Sequence, residues 1–391
     1  MKKWILFPTL VCSVFGYSQN FIQAYQDRAN LVSQTTINTY LQQFEDLGVK
    51  RTGTAQNTAT LNWIKAKYEG LGFSSDQISV HNWTSGQYTS ANLIVTKTGT
   101  LYPNKYVIVC GHFDSINGPG VNDNGSGTSI IMEIARILKD VPTEYSIKFI
   151  HFSGEEQGLL GSSRYVSQVV NGTSPKMDIK VVVNIDQVGG IRGGASNKVY
   201  CDQDQSNPVS NNAAGAQAVQ ELATCTSLYS PLSTAITRAE NTDYMPFQSN
   251  GEVITGYWEY EGGYNNPHVH KATDKVENMD PVYVYNLAKG ATGAIQHFAV
   301  ATSTLGLSDQ SVSGLKNIEI YPNPAKSSLQ LKIDDKLKNV TVQFSDPSGK
   351  QLNIKKSALH SYDVSALSPG IYFVTISADK ESVTKKFIIE K

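Results

Sequence analysis

The sequence predicts an α/β fold: a three-layer α/β/α sandwich around a mixed, mostly parallel sheet, with a small C-terminal all-β sandwich after it. Three observations predict it. The runs KYVIVC (105–110), SIKFIHF (146–152) and KVVVNI (180–185) are apolar and rich in β-branched residues, as buried strands are. Stretches of helical periodicity alternate with them, which argues for helices packed on a sheet. Beyond about residue 318 the pattern becomes short alternating strands between turn signals.

In chain order, Met1-Lys2-Lys3 is basic, residues 4–15 are mostly apolar, and Gly16-Tyr17-Ser18 offers a small residue before Gln19. Residues 1–18 therefore read as a secretory signal peptide, too short to span a bilayer. Residues 19–34 read as a short leader or a first helix. Residues 36–47 and 58–71 have helical periodicity, with Gly70 and Gly72 as a stop. Further helices are expected over 126–139, 162–168, 211–225 and 282–301. These elements make a large domain over 19–302. A polar Gly/Ser linker follows over 303–317. Strands are expected at 318–321, 329–333, 340–346, 351–354, 370–377 and 383–389, forming a small sandwich over 318–391.

Lys and Arg number 33 against 34 Asp and Glu, for a net charge of −1. That balance gives no electrostatic case for nucleic acid or an anionic membrane. No later stretch is long and apolar enough for a transmembrane segment. Three cysteines lie beyond residue 18. Cys110 falls in a strand and reads as a packed thiol, whereas Cys201 and Cys225 could pair in an oxidising compartment.

The chemistry is carried by five potential metal ligands: His112 in CGHFDS, Asp123 in PGVNDNGSG, Glu156 in SGEEQGLLGS, Asp186 in NIDQVG and His270 in NPHVHKATD. Two imidazoles and three carboxylates suit a pair of zinc ions with open positions. Several lie just past strands, where α/β sheets form binding crevices. If the chain stays extended past 110, Asp114 and His112 face one side, and Asp114 accepts the other ring N–H of His112. Of two adjacent glutamates, one can ligate while the other, Glu155, acts as general base. His151 reads as a core residue. By alternation His268 shares the side of His270. Glu259, Tyr260, Glu261, Tyr264 and Asn265 either line a substrate pocket or form a solvated loop.

Taken together, HFD, NDNGSG, GEEQGLLGS, NID and NPHVHKATD resemble the co-catalytic di-zinc aminopeptidases, typified by secreted bacterial leucyl aminopeptidases and more distantly by glutamate carboxypeptidases. The resemblance covers roughly residues 35–300. It implies one zinc on His112 and Asp186, another on Glu156 and His270, Asp123 between them, and Glu155 as general base. It implies peptide or protein N-termini as substrate. The family often has a second Asp where Asn124 stands, and Ser-Asp-His where Thr242-Asp243-Tyr244 stands. Asp243 is expected to contact the site from behind. The tail residues IYPNPA (320–325), GIYFV (370–374) and KKFIIEK (385–391) resemble the C-terminal sorting domain of type IX secretion cargo. That implies the secretion machinery as a partner and a secreted or cell-surface location. Rival readings on the same site are a carboxypeptidase, a dipeptidase or a glutaminyl-cyclase-like enzyme. A catalytically silent binding module is the non-enzyme rival.

Overall fold

The computed structural model describes residues 19–194, 197–260, 266–303, 318–333, 340–346, 350–378 and 381–390. The expected signal peptide, most of the linker, and Glu261, Tyr264 and Asn265 lie outside the described residues. The chain divides near residue 304 into two compact units.

The first unit begins with three helices: α1 (Gln23–Ala29), α2 (Gln34–Asp46) and α3 (Ala55–Gly70). Residues 23–29 are therefore a first helix. It is tied to the rest of the unit by Tyr25, whose hydroxyl donates to the Ala301 carbonyl, and by Arg28, which donates to Gln296 and the Thr302 carbonyl. α3 starts earlier than its apolar pattern because the Thr54 side chain accepts the N–H of Asn57 and caps it. A hairpin follows, β1 (Ile78–Ser85) and β2 (Tyr88–Lys97). The alternating part is β3 (Tyr102–His112), α4 (Gly127–Leu138), β4 (Tyr145–Phe152), α5 (Leu160–Tyr165), β5 (Asp178–Ile185), β6 (Lys198–Gln203), α6 (Asn212–Tyr229), β7 (Ser233–Arg238), α7 (Met245–Ser249), β8 (Ile254–Trp258) and α8 (Pro281–Ala299).

The eight strands form one sheet in the order β1-β2-β4-β3-β5-β8-β6-β7. β4, β3, β5 and β8 run parallel at its centre, as do β6 and β7, while β1/β2, β2/β4 and β6/β8 pair antiparallel. Alternation along β3 sorts its residues to two cores. Val107 and Val109 pack with residues of α2, α4, α6 and α8, whereas Ile108 and Cys110 pack with Tyr165, Val166 and Phe247 on the other face. Both faces are covered, so each central strand reads as a continuous apolar run. α6 runs on to Tyr229, past the expected end at 225. Cys201 and Cys225 are free, buried thiols, so the pairing left open by the sequence is not made.

The second unit contains β9 (Glu319–Tyr321), β10 (Ser328–Lys332), β11 (Thr341–Ser345), β12 (Gln351–Leu352), β13 (Lys355–Ala358), β14 (Ser361–Asp363), β15 (Gly370–Ala378) and β16 (Glu381–Ile389). They make two four-stranded sheets, β13-β14-β10-β9 and β12-β11-β15-β16. Leu329, Leu331 and Tyr362 of one sheet share a core with Phe344, Val374, Ile376 and Phe387 of the other.

Candidate metal centre

Strand ends and two loops bring the expected residues together. His112 closes β3, Asp186 directly follows β5, and Glu155 and Glu156 lie just past β4. Asp123 lies in an irregular helical turn, Val121–Ser126, that leads into α4. His270 comes from the loop between β8 and α8, with a positive φ of 55°. Two glycines allow the Asp123 turn to form. Gly120 sits at φ 60°, and a Cβ on Gly127 would collide with the Ile185 carbonyl.

His112 Nε2 lies 3.1 Å from Asp123 Oδ1 and 3.2 Å from Asp186 Oδ1. His270 Nε2 lies 3.2 Å from Asp123 Oδ2 and 3.0 Å from Glu156 Oε2. Asp123 thus turns one oxygen to each imidazole. Two groups result, His112 with Asp123 and Asp186, and Asp123 with Glu156 and His270, each with its donor atoms within 4.8 Å of one another. His270 is the most open of the five, with 36 % of its side chain accessible.

The donors fit a cation. His112 Nδ1 lies 3.1 Å from the Asp114 main-chain carbonyl and donates to it, which leaves Nε2 with the lone pair. That nitrogen is buried and has no hydrogen-bond partner, although two carboxylate oxygens sit beside it. Lone pairs from an imidazole and two carboxylates aimed at one another repel unless a cation or proton lies among them. Where no metal is bound, a proton serves. Burial opposes a charged His112, but Asp186 and Asp123 raise it well above an ordinary imidazole. Hydrogen bonding to Asp123 and Glu156 raises His270 to about 10. Asp123 is pushed up by burial, yet the two histidines hold it below the usual carboxylate range. Metal binding would displace these protons.

Asp114 does not sit where alternation placed it. Its carboxylate is 3.7 Å from His112 Nδ1, and the ring's closer partner is the Asp114 carbonyl. The strand ends at His112, so the alternation does not continue. Instead the Asp114 carboxylate accepts the main-chain N–H groups of Glu155 at 3.2 Å and Glu156 at 3.3 Å, and the Thr52 hydroxyl at 3.1 Å. It therefore fixes the backbone of the glutamate pair. Glu155 belongs to neither donor group. Burial raises its carboxyl well above the ordinary value, with His112 opposing and Asp186 and Asp243 adding to the rise.

Other residues tighten the centre; among them the sequence assigned no role to Asp274 or Thr242. Asp274 accepts the N–H of Asn122 at 2.7 Å and of Asp123 at 3.0 Å. Its signal was present, an acidic residue closing the turn after His270. Thr242 donates its hydroxyl to Asp186 Oδ2 and accepts from Asn184 Nδ2 at 3.1 Å. Asp243 is fully buried beside it, and burial raises its carboxyl to about 7. Glu259 is buried and accepts from Asn122 at 2.8 Å, Gly190 at 2.6 Å and Asn266 at 3.0 Å. It braces the Asp123 turn and is not part of a solvated loop. His268 meets Thr273 instead of the ligand set, because the loop is not extended there. His151 is buried with Tyr68, as expected of a core residue.

Two imidazoles and three carboxylates thus converge beside the strand ends of an α/β sheet as a donor set suited to metal ions, with Glu155 outside it. Residues 92–293 match the model of peptidase family M28, and the chain belongs to that family. Residues 319–390 match the secretion system C-terminal sorting domain. Among curated relatives, the aminopeptidase YwaD of Bacillus subtilis is 32 % identical over 215 residues, 53 % of this chain and 44 % of the relative. A Pseudomonas aeruginosa aminopeptidase is 35 % identical over 130 residues, 33 % of this chain and 23 % of the relative. The chain thus spans half or less of the length of these curated relatives. Among solved structures, the LapA aminopeptidase of Legionella pneumophila superposes with a TM-score of 0.61 at 22 % identity, covering 71 % of this chain and 75 % of that one. A zinc aminopeptidase from Bacillus subtilis gives 0.59 at 17 % identity, covering 70 % and 97 %. These two likenesses establish the shared fold. Among the described residues no helix is long and apolar enough to cross a membrane.

Proposed function

We propose that this chain is an exported aminopeptidase that removes N-terminal residues from peptides at a two-zinc centre. The single observation that carries the reading is Asp123, which presents one carboxylate oxygen to each of two histidine–carboxylate groups. His112 and Asp186 would hold one zinc, Glu156 and His270 the other, and Asp123 both. Zinc, when bound there, makes water more acidic and polarises a carbonyl.

The chain's own residues supply the rest. Glu155 is the general base that takes the water proton and passes it to the leaving amine. Asp114 fixes the main chain of both glutamates, so that Glu156 reaches His270 while Glu155 is left to the reaction. Residues 1–18 would direct the chain across the inner membrane, and residues 318–391 would be read by the type IX secretion machinery.

The test is hydrolysis of one peptide in three forms, free at both ends, N-acetylated and C-amidated, each with and without a zinc chelator. Cleavage that the chelator stops and that acetylation alone abolishes is the expected result. Loss on amidation alone would make the enzyme a carboxypeptidase. No cleavage of any form with zinc bound would favour a binding module.

A further inference from the structure

Lys50 is a lysine with no exposed surface, and it lies outside the stretch that matches the family. Its Nζ donates to the carbonyl of Gly48 at 2.6 Å and of Pro119 at 2.7 Å, and stands 3.9 Å from the centre of the Phe44 ring. Burial lowers its ammonium to about 7, against the opposing pull of Asp274 and Glu45. An apolar side chain of that length would fill the space without the desolvation penalty. What the ammonium adds is two hydrogen bonds to main-chain carbonyls that would otherwise be left short of donors.

The Pro119 carbonyl is at the start of the turn that carries Asp123. It precedes Gly120, whose own carbonyl accepts the N–H of Gly125 at 2.9 Å. The rest of the segment holds the same region. The Lys50 N–H donates to Ser115 Oγ at 3.1 Å, and that hydroxyl donates to the Gly118 carbonyl at 2.9 Å. Two residues on, Thr52 donates to Asp114. A short strap from the N-terminal helices thus grips both the Asp123 turn and the residue that orients the glutamates.

We propose that Lys50 is a positioning residue, whose buried ammonium fixes the Pro119 carbonyl and with it the main chain that presents Asp123. This rests on reading the centre as a metal site. It places a determinant of metal geometry outside the matched domain. A group that orients a ligand from behind typically changes metal affinity ~10–100-fold when removed.

The experiment compares the full chain with Lys50→Met by cobalt(II) titration, visible absorption of the cobalt form, and far-ultraviolet circular dichroism. With native dichroism, the variant is expected to bind cobalt about 10-fold or more weaker and to show shifted absorption bands. A purely structural lysine would lower the melting temperature and leave both readouts unmoved, which would overturn the proposal. Should Lys50→Met fail to fold, Ser115→Ala removes the hydroxyl that accepts the Lys50 N–H and donates to the Gly118 carbonyl, cutting two hydrogen bonds of the same strap, and is read in the same way. Weaker cobalt binding with shifted bands supports the strap, and unchanged values overturn it. A wild-type chain that takes up no cobalt or zinc would overturn the metal reading itself, and the positioning role with it.

Discussion

The carboxylate of Asp274 accepts the main-chain N–H of Asp123 at 3.0 Å across 151 residues of sequence. Its other oxygen takes the N–H of Asn122 at 2.7 Å, so a residue four positions after His270 sets the backbone of the turn that faces His270. The two loops that approach the proposed second zinc are therefore one unit. Asp274→Ala leaves two buried donors without a partner, at about 1–3 kcal/mol each. The expected outcome is a lower urea midpoint together with weaker zinc binding, measured by denaturation and chelator competition. Asp274→Asn keeps one good acceptor and is expected to fall between the two.

Thr242 acts on the other side of the centre. Its hydroxyl donates to Asp186 Oδ2, which leaves Oδ1 turned toward His112. Thr242→Ala is expected to weaken one of two zinc-binding events by ~10–100-fold. Thr242→Ser is expected to restore it. Zinc titration with a competing chelator resolves the two events.

Removal of metal has a predictable sign. Three carboxylates and two imidazoles converge in a largely buried site, so a cation that binds the folded chain and not the unfolded one stabilises it. At a free zinc level 100-fold above the dissociation constant the gain is about 2.7 kcal/mol for each ion bound, roughly 5–10 °C per ion in a domain this size. Chelation is expected to lower the melting temperature by that order, and added zinc to restore it. Calorimetry with and without chelator is the check.

His151 gives a pH-dependent term away from the site. It is fully buried against Tyr68, and burial lowers its ring from 6.5 to about 3. In that window the unfolded chain binds the proton more readily than the folded one. Stability from this residue is complete above the unfolded value near 6.5 and is lost as pH falls toward 3. In urea melts at pH 7, 5 and 4, His151→Gln is expected to lose less stability on acidification than the wild type does.

How much of this was legible depended on local pattern. The central strands were readable because a strand buried on both faces gives a continuous β-branched run, as in 180–185. The residues just past those runs were readable as potential ligands for the same reason. The start of α3 was missed because Thr54 caps it before the apolar periodicity begins. β13 and β14 were missed because KKSA and SYD are too short and polar to register as strands. Asp274, Thr242 and Lys50 were not found because their bonds to Asp123, Asp186 and Pro119 span 151, 56 and 69 residues, and a side chain bonding a distant group leaves no periodic trace. Asp114 was placed beside His112, where its carboxylate lies 3.7 Å from Nδ1, but its hydrogen bonds to the main chain of Glu155 and Glu156 leave no mark in the alternation.

The most direct test is turnover and zinc content of Glu155→Gln, measured together on a peptide with a free N-terminus. The account predicts that two zinc ions per chain remain bound while kcat falls at least ~100-fold, the order expected for losing a general base. Turnover close to wild type with both ions retained would contradict it and remove Glu155 from the reaction.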